Sequence, residues 1–231
     1  MLPKRLRILL PPVLWGLVFL CVVPEAVLQG ADLGLWGTPQ WRGIVYAWAG
    51  FWPGLLHDWR PNYRLQPWAM FVTHGFLHGG LVHLAVNVVS LVSLGRVGVD
   101  RLGQGGFVLL FALSLLGGGL GFGLLANTTF PMVGASGALY GLAGAMIVWA
   151  LHDRRHAGQT LWPVARALVW LVALNLILWV ATGGKLAWQT HLGGFLAGAV
   201  AGFFLDRRAG GGRGTALRQP AMAGCVRPRA G

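Results

Sequence analysis

The stretch Val133-Gly134-Ala135-Ser136-Gly137-Ala138-Leu139-Tyr140 opens an apolar run that continues through Trp149 and Ala150. A serine set between Gly134 and Gly137 at the head of a helix holds its hydroxyl near backbone N–H groups that have no partner inside the helix. A nucleophile and an oxyanion can be placed there. The same residues admit a second reading, because small residues four apart, such as Gly137 and Gly141, also make surfaces for close helix packing. The choice between the two depends on what the rest of the chain supplies.

Composition places that stretch in a bilayer. The chain has 231 residues, of which 55% are hydrophobic and 10% charged, whereas a soluble domain carries about 25% charged residues. An all-α polytopic membrane protein with one membrane domain is expected. Net charge is +12, but most basic residues stand at the ends of apolar runs or in the tails. That distribution reads as topology and contact with the lipid bilayer. No nucleic-acid motif accompanies it, so no nucleic-acid partner is expected. Cys21 falls in the first apolar run and Cys225 in the tail, so neither a disulfide nor a metal site is expected from them.

Six spans are expected. The first covers 6–23, with Pro11-Pro12 near its start and Pro24-Glu25 at its end. It reads as an uncleaved span, since 27–30 is a poor cleavage site and the run outlasts a signal core. Residues 31–73 form a long connection with Trp36, Trp41, Trp48, Trp52, Trp59 and Trp68. Indoles favour the headgroup level, so this first outer loop is read as interfacial helices lying partly in one leaflet. A span over 44–56 is the rival, but that run is short and contains Pro53. The second span is expected over 74–95, followed by a polar turn carrying Arg96, Asp100 and Arg101. The third covers 105–125 and the serine span 134–151. The fifth covers 162–180 and the sixth 188–205. A membrane domain over 1–205 and a basic, disordered tail over 206–231 complete the layout.

Basic residues orient the spans. Lys4, Arg5 and Arg7, then Arg96 and Arg101, then Arg154 and Arg155, then Arg207 and Arg208 all fall on one side. The positive-inside bias makes that side the cytoplasm, with both termini there. Ser136 and His191 then belong to the outer half. A short serine helix that begins inside the bilayer needs wet or protein-covered backbone at its start, so a water-filled cavity is expected above Ser136.

Polar residues within spans are costly and default to function. Here they are His74, His78, His83, Asn87, Ser136, Asn175 and His191. His83 and Asn87 share a helical face, as do Ser136 and Tyr140. His191 leads a stripe of Gly194, Gly198 and Gly202, which invites close approach by the Gly137/Gly141 face and brings the imidazole within reach of the hydroxyl. His-Glu-x-x-His is absent, no aspartate pair lies at membrane depth, and no acid is placed to orient His191. A Ser–His dyad remains, with Tyr140 as aromatic support for the imidazole. His74, His78 and His83 have no carboxylate or cysteine beside them, so no metal and no cofactor is expected. His74 and His78 are read as structural hydrogen-bonding groups.

This set resembles the rhomboid intramembrane serine proteases. The matching pieces are His78, His83 and Asn87 in the second span, Gly134-Ala135-Ser136-Gly137 with Tyr140 in the fourth, and His191-Leu192-Gly193-Gly194 in the sixth. The resemblance implies a six-transmembrane-helix rhomboid-like bundle, with Ser136 as nucleophile and His191 as general base. It implies an oxyanion hole lined by His83, Asn87 and the Ser136 amide, and substrate entry between the second and fifth spans. Rhomboids often carry a Trp-Arg pair in the first outer loop, whereas Trp68 here is followed by Ala69. The function implied is hydrolysis of a peptide bond in or near transmembrane segments of single-pass or polytopic membrane-protein substrates. Two other readings stand beside it: a catalytically silent rhomboid-like binder of membrane helices, and a transporter using the histidines as a proton relay. A bacterial inner membrane is the expected location, since no transit peptide and no extra leading span is evident.

Overall fold

A computed structural model describes residues 10–206 of the chain. The basic residues Lys4, Arg5 and Arg7, Cys225, and all of the tail expected over 206–231 except Asp206 lie outside the described residues; Asp206 itself is held by Arg101.

The described residues are all-helical. In order they form α1 (Pro12–Asp32), α2 (Gln40–Ala49), α3 (Gln66–Thr73), α4 (Leu81–Leu125), α5 (Ser136–His156), α6 (Trp162–Ala181) and α7 (Trp188–Leu205). Short 3-10 turns cover Pro53–Leu56 and His74–Phe76. Helices α1, α4 and α6 are long and apolar enough to cross a membrane.

The first helix does not stop at Pro24. It starts with Pro12 in its first turn, where a missing N–H costs nothing, and runs through Pro24 to Asp32. A proline inside a helix removes one backbone bond. Continuation is offset by Glu25, which is fully buried and paired with Arg42 of α2 at 2.9 Å. The outer loop is helical, as its tryptophans suggest, and the rival span over 44–56 does not form. Helix α2 ends at Gly50, and Phe51 pairs with Met132 through two backbone bonds of 3.0 and 2.9 Å. Under this loop Phe51, Leu55, Met70, Phe122 and Met132 form a small core of their own.

The second span starts later than its sequence suggests. Gly79-Gly80 interrupts the chain, with Gly80 at φ +109, so His74 and His78 precede the helix rather than lying on it. The expected break near Arg96–Arg101 stands at Gly103, whose φ of +74 turns α4 into two limbs. Charged residues at 96–101 therefore remain helical. Arg101 donates to Asp153 at 2.6 and 2.9 Å and to Asp206 at 3.1 and 2.5 Å, and lies 5.1 Å over the Trp149 ring. Its guanidinium holds the Asp153 carboxyl below the usual carboxylate range. The serine helix likewise continues past 151 to His156, and Arg154, Arg155 and His156 fill its last turn, where cations suit the helix dipole.

Helices α4, α5 and α7 form the centre through glycine-to-backbone contact. A Cβ on Gly194 would strike the Gly137 carbonyl, one on Gly198 the Gly141 carbonyl, and one on Gly202 the Ala145 side chain. A Cβ on Gly121 would come 2.8 Å from Gly193 Cα. Near the serine the three helices meet through glycines and the small side chain of Thr190, whose Oγ1 would come 2.8 Å from a Cβ on Gly118. Helix α6 differs: it rests lightly on α5, and Val164 is its one buried residue.

Candidate active site

Ser136 is the first residue of α5, and the chain reaches it by a turn that only glycine tolerates well. Gly134 has φ +127 and donates its N–H to the His74 carbonyl at 2.9 Å. A Cβ there would also stand 2.8 Å from the His83 ring and 3.8 Å from Ser136 Oγ. The imidazole of His83 thus covers the chain just before the serine. Gly137 is constrained from the other side, since a Cβ would come 2.6 Å from Thr190 Oγ1 on α7.

The small-residue contact of α5 with α7 brings the two expected partners together. His191 Nε2 lies 2.9 Å from Ser136 Oγ, although the residues are 55 positions apart. The Tyr140 ring, one helical turn beyond the serine, stacks on the His191 imidazole with centroids 4.1 Å apart and planes inclined by 5°. The other ring nitrogen of His191, Nδ1, lies 2.6 Å from Asn175 Oδ1 on α6.

On the start of α4, the Gly79 N–H donates to His83 Nδ1 at 3.2 Å. Nδ1 is therefore the accepting nitrogen, and Nε2 of the neutral ring carries the hydrogen. Asn87 donates from Nδ2 to the His83 carbonyl at 2.8 Å, which leaves its second N–H for another acceptor. His78 is fully buried and meets His83 edge to face at 5.2 Å. His74 holds the Met70 carbonyl through Nδ1 at 2.7 Å. Among the described residues, these three histidines do not form a set whose ligand atoms lie within 4.8 Å of one another. His152, Asp153 and Asp206 do lie within ligand distance of one another at the opposite end of the bundle, but Arg101 holds both carboxylates there.

Two groups escaped the sequence reading. The Trp-Arg pair sought after Trp68 stands at Trp41-Arg42. Arg42 donates to Glu25 at 3.0 and 2.9 Å, to Asp32 at 2.6 Å and to the His78 carbonyl at 2.9 Å. Tyr46 OH donates to the same carbonyl at 2.5 Å. Burial pushes the Tyr46 phenol up, which keeps it a neutral donor. This network fixes the outer loop to α1 and to the segment that leads into His83. Its sequence signals are the adjacent Trp41 and Arg42 and a lone glutamate in an apolar run, which needs a partner. Asn175 stood among the polar residues within spans, but nothing in its spacing points to His191.

The family model for the Rhomboid domain matches residues 64–208. RHOMBOID-like protein 1 of Arabidopsis thaliana is 33% identical over 156 residues, which cover 63% of this chain and 36% of that protein. RHOMBOID-like protein 5 of the same plant is 36% identical over 141 residues, covering 56% of this chain and 41% of that protein. Rhomboid protease GluP of Bacillus subtilis is 28% identical over 150 residues, covering 65% of this chain and 28% of that protein. The chain thus spans between about a quarter and two fifths of the length of these relatives.

Proposed function

Because this chain belongs to the rhomboid family, and is an integral membrane protein with long apolar helices, we propose that it is an intramembrane serine endopeptidase acting through Ser136 and His191. The observation that carries this reading is the 2.9 Å approach of His191 Nε2 to a serine hydroxyl at the head of α5.

In this mechanism His191 is neutral, and Nε2 takes the Ser136 proton as Oγ attacks a substrate carbonyl. The oxyanion is received by the Ser136 amide, His83 Nε2–H and the second N–H of Asn87; losing one donor costs on the order of 10²–10³ in rate. His191 then gives its proton to the leaving amine. The acyl group is released by a water that His191 deprotonates in turn. Gly134, Gly137, Tyr140 and His78 support the arrangement without touching the reacting atoms. No step calls for a metal or a cofactor.

The substrates in this reading are membrane proteins whose helices open near the scissile bond, since a helical carbonyl is shielded and hydrogen-bonded. Small, helix-weakening residues there are favoured. The bundle has six spans: α1, the two limbs of α4, α5, α6 and α7, within a domain over 1–205, and the outer loop lies in one leaflet. The finer placement, a bacterial inner membrane with cytoplasmic termini, rests on the charge bias and span count; the relatives, mostly plant proteins, lend it no support.

The test uses detergent-purified protein with a serine-reactive fluorophosphonate and a generic transmembrane substrate. Wild type is expected to label and to cleave. Ser136→Ala and His191→Ala lose turnover on the order of 10⁴-fold or more. Equal labelling of Ser136→Ala, or cleavage that survives both substitutions, overturns the reading. A silent helix binder predicts no labelling of wild type while a control serine protease reacts.

A further inference from the structure

We propose that Asn175 of α6 is a positioning residue for the Ser136–His191 pair, accepting the His191 Nδ1–H and so fixing which nitrogen faces the serine. The inference rests on the protease reading above and extends it to a side chain on a third helix.

An asparagine Oδ1 accepts and never donates. At 2.6 Å from it, Nδ1 of His191 carries the hydrogen, and the Nε2 lone pair points along the 2.9 Å line to Ser136 Oγ. The opposite tautomer would place an N–H against the serine and leave no base. Two contacts thus define the ring. Tyr140 sets its plane by stacking at 4.1 Å, and Asn175 sets its rotation within that plane. A neutral amide orients the imidazole in the way a triad carboxylate does, without adding a charge to a poorly hydrated site.

Placement makes this contact unusual. Ser136 and His191 stand on α5 and α7, whose backbones touch through glycines. Asn175 stands on α6, which has one buried residue and packs lightly on its neighbour. Its side chain is flanked by exposed Leu174, Leu176 and Ile177. An amide in that apolar setting is costly without a partner, and His191 is the partner the structure gives it. The hydrogen bond couples the base to the position of the least restrained helix: displacement of α6 away from α7 frees the imidazole to rotate.

The experiment compares Asn175→Ala and Asn175→Asp with wild type in three measurements. For cleavage, Asn175→Ala is expected to lower kcat by about 10- to 100-fold with KM within twofold, as a misplaced base does. Asn175→Asp, which keeps the acceptor, recovers at least tenfold of that loss. For fluorophosphonate labelling, a small probe that needs no entry of a helix, Asn175→Ala reacts slower by a similar factor. For nitrogen-15 NMR of the His191 ring, wild type shows the Nδ1–H tautomer and Asn175→Ala a mixture. Should Asn175→Ala not fold, Asn175→Leu, closer in volume, takes its place. Unchanged labelling with a raised KM would make Asn175 a packing residue of the substrate path and overturn the proposal, as would an unchanged tautomer. Active wild type with Asn175→Ala of equal kcat sinks this inference alone, whereas inert wild type sinks the protease reading.

Discussion

Helices α6 and α7 are both apolar and nearly equal in length, yet they are held in different ways. Helix α7 carries Gly193, Gly194, Gly198 and Gly202 and lies against the backbones of α4 and α5. Helix α6 has no glycine and presents Val169, Trp170, Val172, Leu174, Leu176 and Ile177 outward. Lipid tails are as apolar as leucine, so large side chains give α6 no drive toward its neighbours, whereas small residues let α7 gain dispersion and Cα–H contact. Serine and histidine sit on the gripped pair, while the amide beside the histidine sits on the free one.

The harshest trial of this contrast is Gly198→Val. Its added atoms would enter the Gly141 carbonyl, and neither backbone can retreat without breaking the Gly194–Gly137 contact one turn away. A loss of about 3 kcal/mol or more is expected, read as a collapse of Tm in detergent. A Gly198→Val protein that melts with wild type would show that the contact is not close. Glu25→Gln tests whether the outer loop is held by charge rather than by packing. It removes the buried negative charge that Arg42 meets but leaves Asp32 at 2.6 Å, so a loss of about 1–3 kcal/mol is expected, with faster proteolysis within 31–73. Protease resistance equal to wild type would assign the loop's order to Phe51, Met70 and Phe122 instead. At the small end, Ile177→Ala on α6 is expected to shift stability by less than about 0.5 kcal/mol. A cost comparable to that of Gly198→Val would erase the difference between the two helices.

Much of this arrangement was readable from residue types because the types are restrictive. Gly194, Gly198 and Gly202 at intervals of four announce backbone contact, and a serine and a histidine at the heads of two such helices have few other places to be. The runs at 105–125, 162–180 and 188–205 are unbroken, and helices form within or across each of them. What escaped depends on distance in space rather than on pattern. Pro24 reads as a stop until Arg42 is seen to hold Glu25, and those residues are 17 apart with no repeat linking them. His74 and His78 read as helical until the backbone at Gly80 is known. The break at Gly103 was sought among charges, yet a charged residue can stay helical when carboxylates meet it, as Arg101 does. Asn175 is one polar residue in an apolar run; its direction is set by how α6 rotates, and lightly packed helices leave no periodic trace of that.

The Arg101 junction carries a consequence for how the chain is completed. Asp206 leaves the ribosome 105 residues after the arginine it pairs with, so the guanidinium has Asp153 and the Trp149 ring, but not its second carboxylate, until the last span has been laid in. The bundle's final closure is therefore recorded as a charge balance at the face opposite the serine, where an incomplete chain and a finished one differ by one carboxylate.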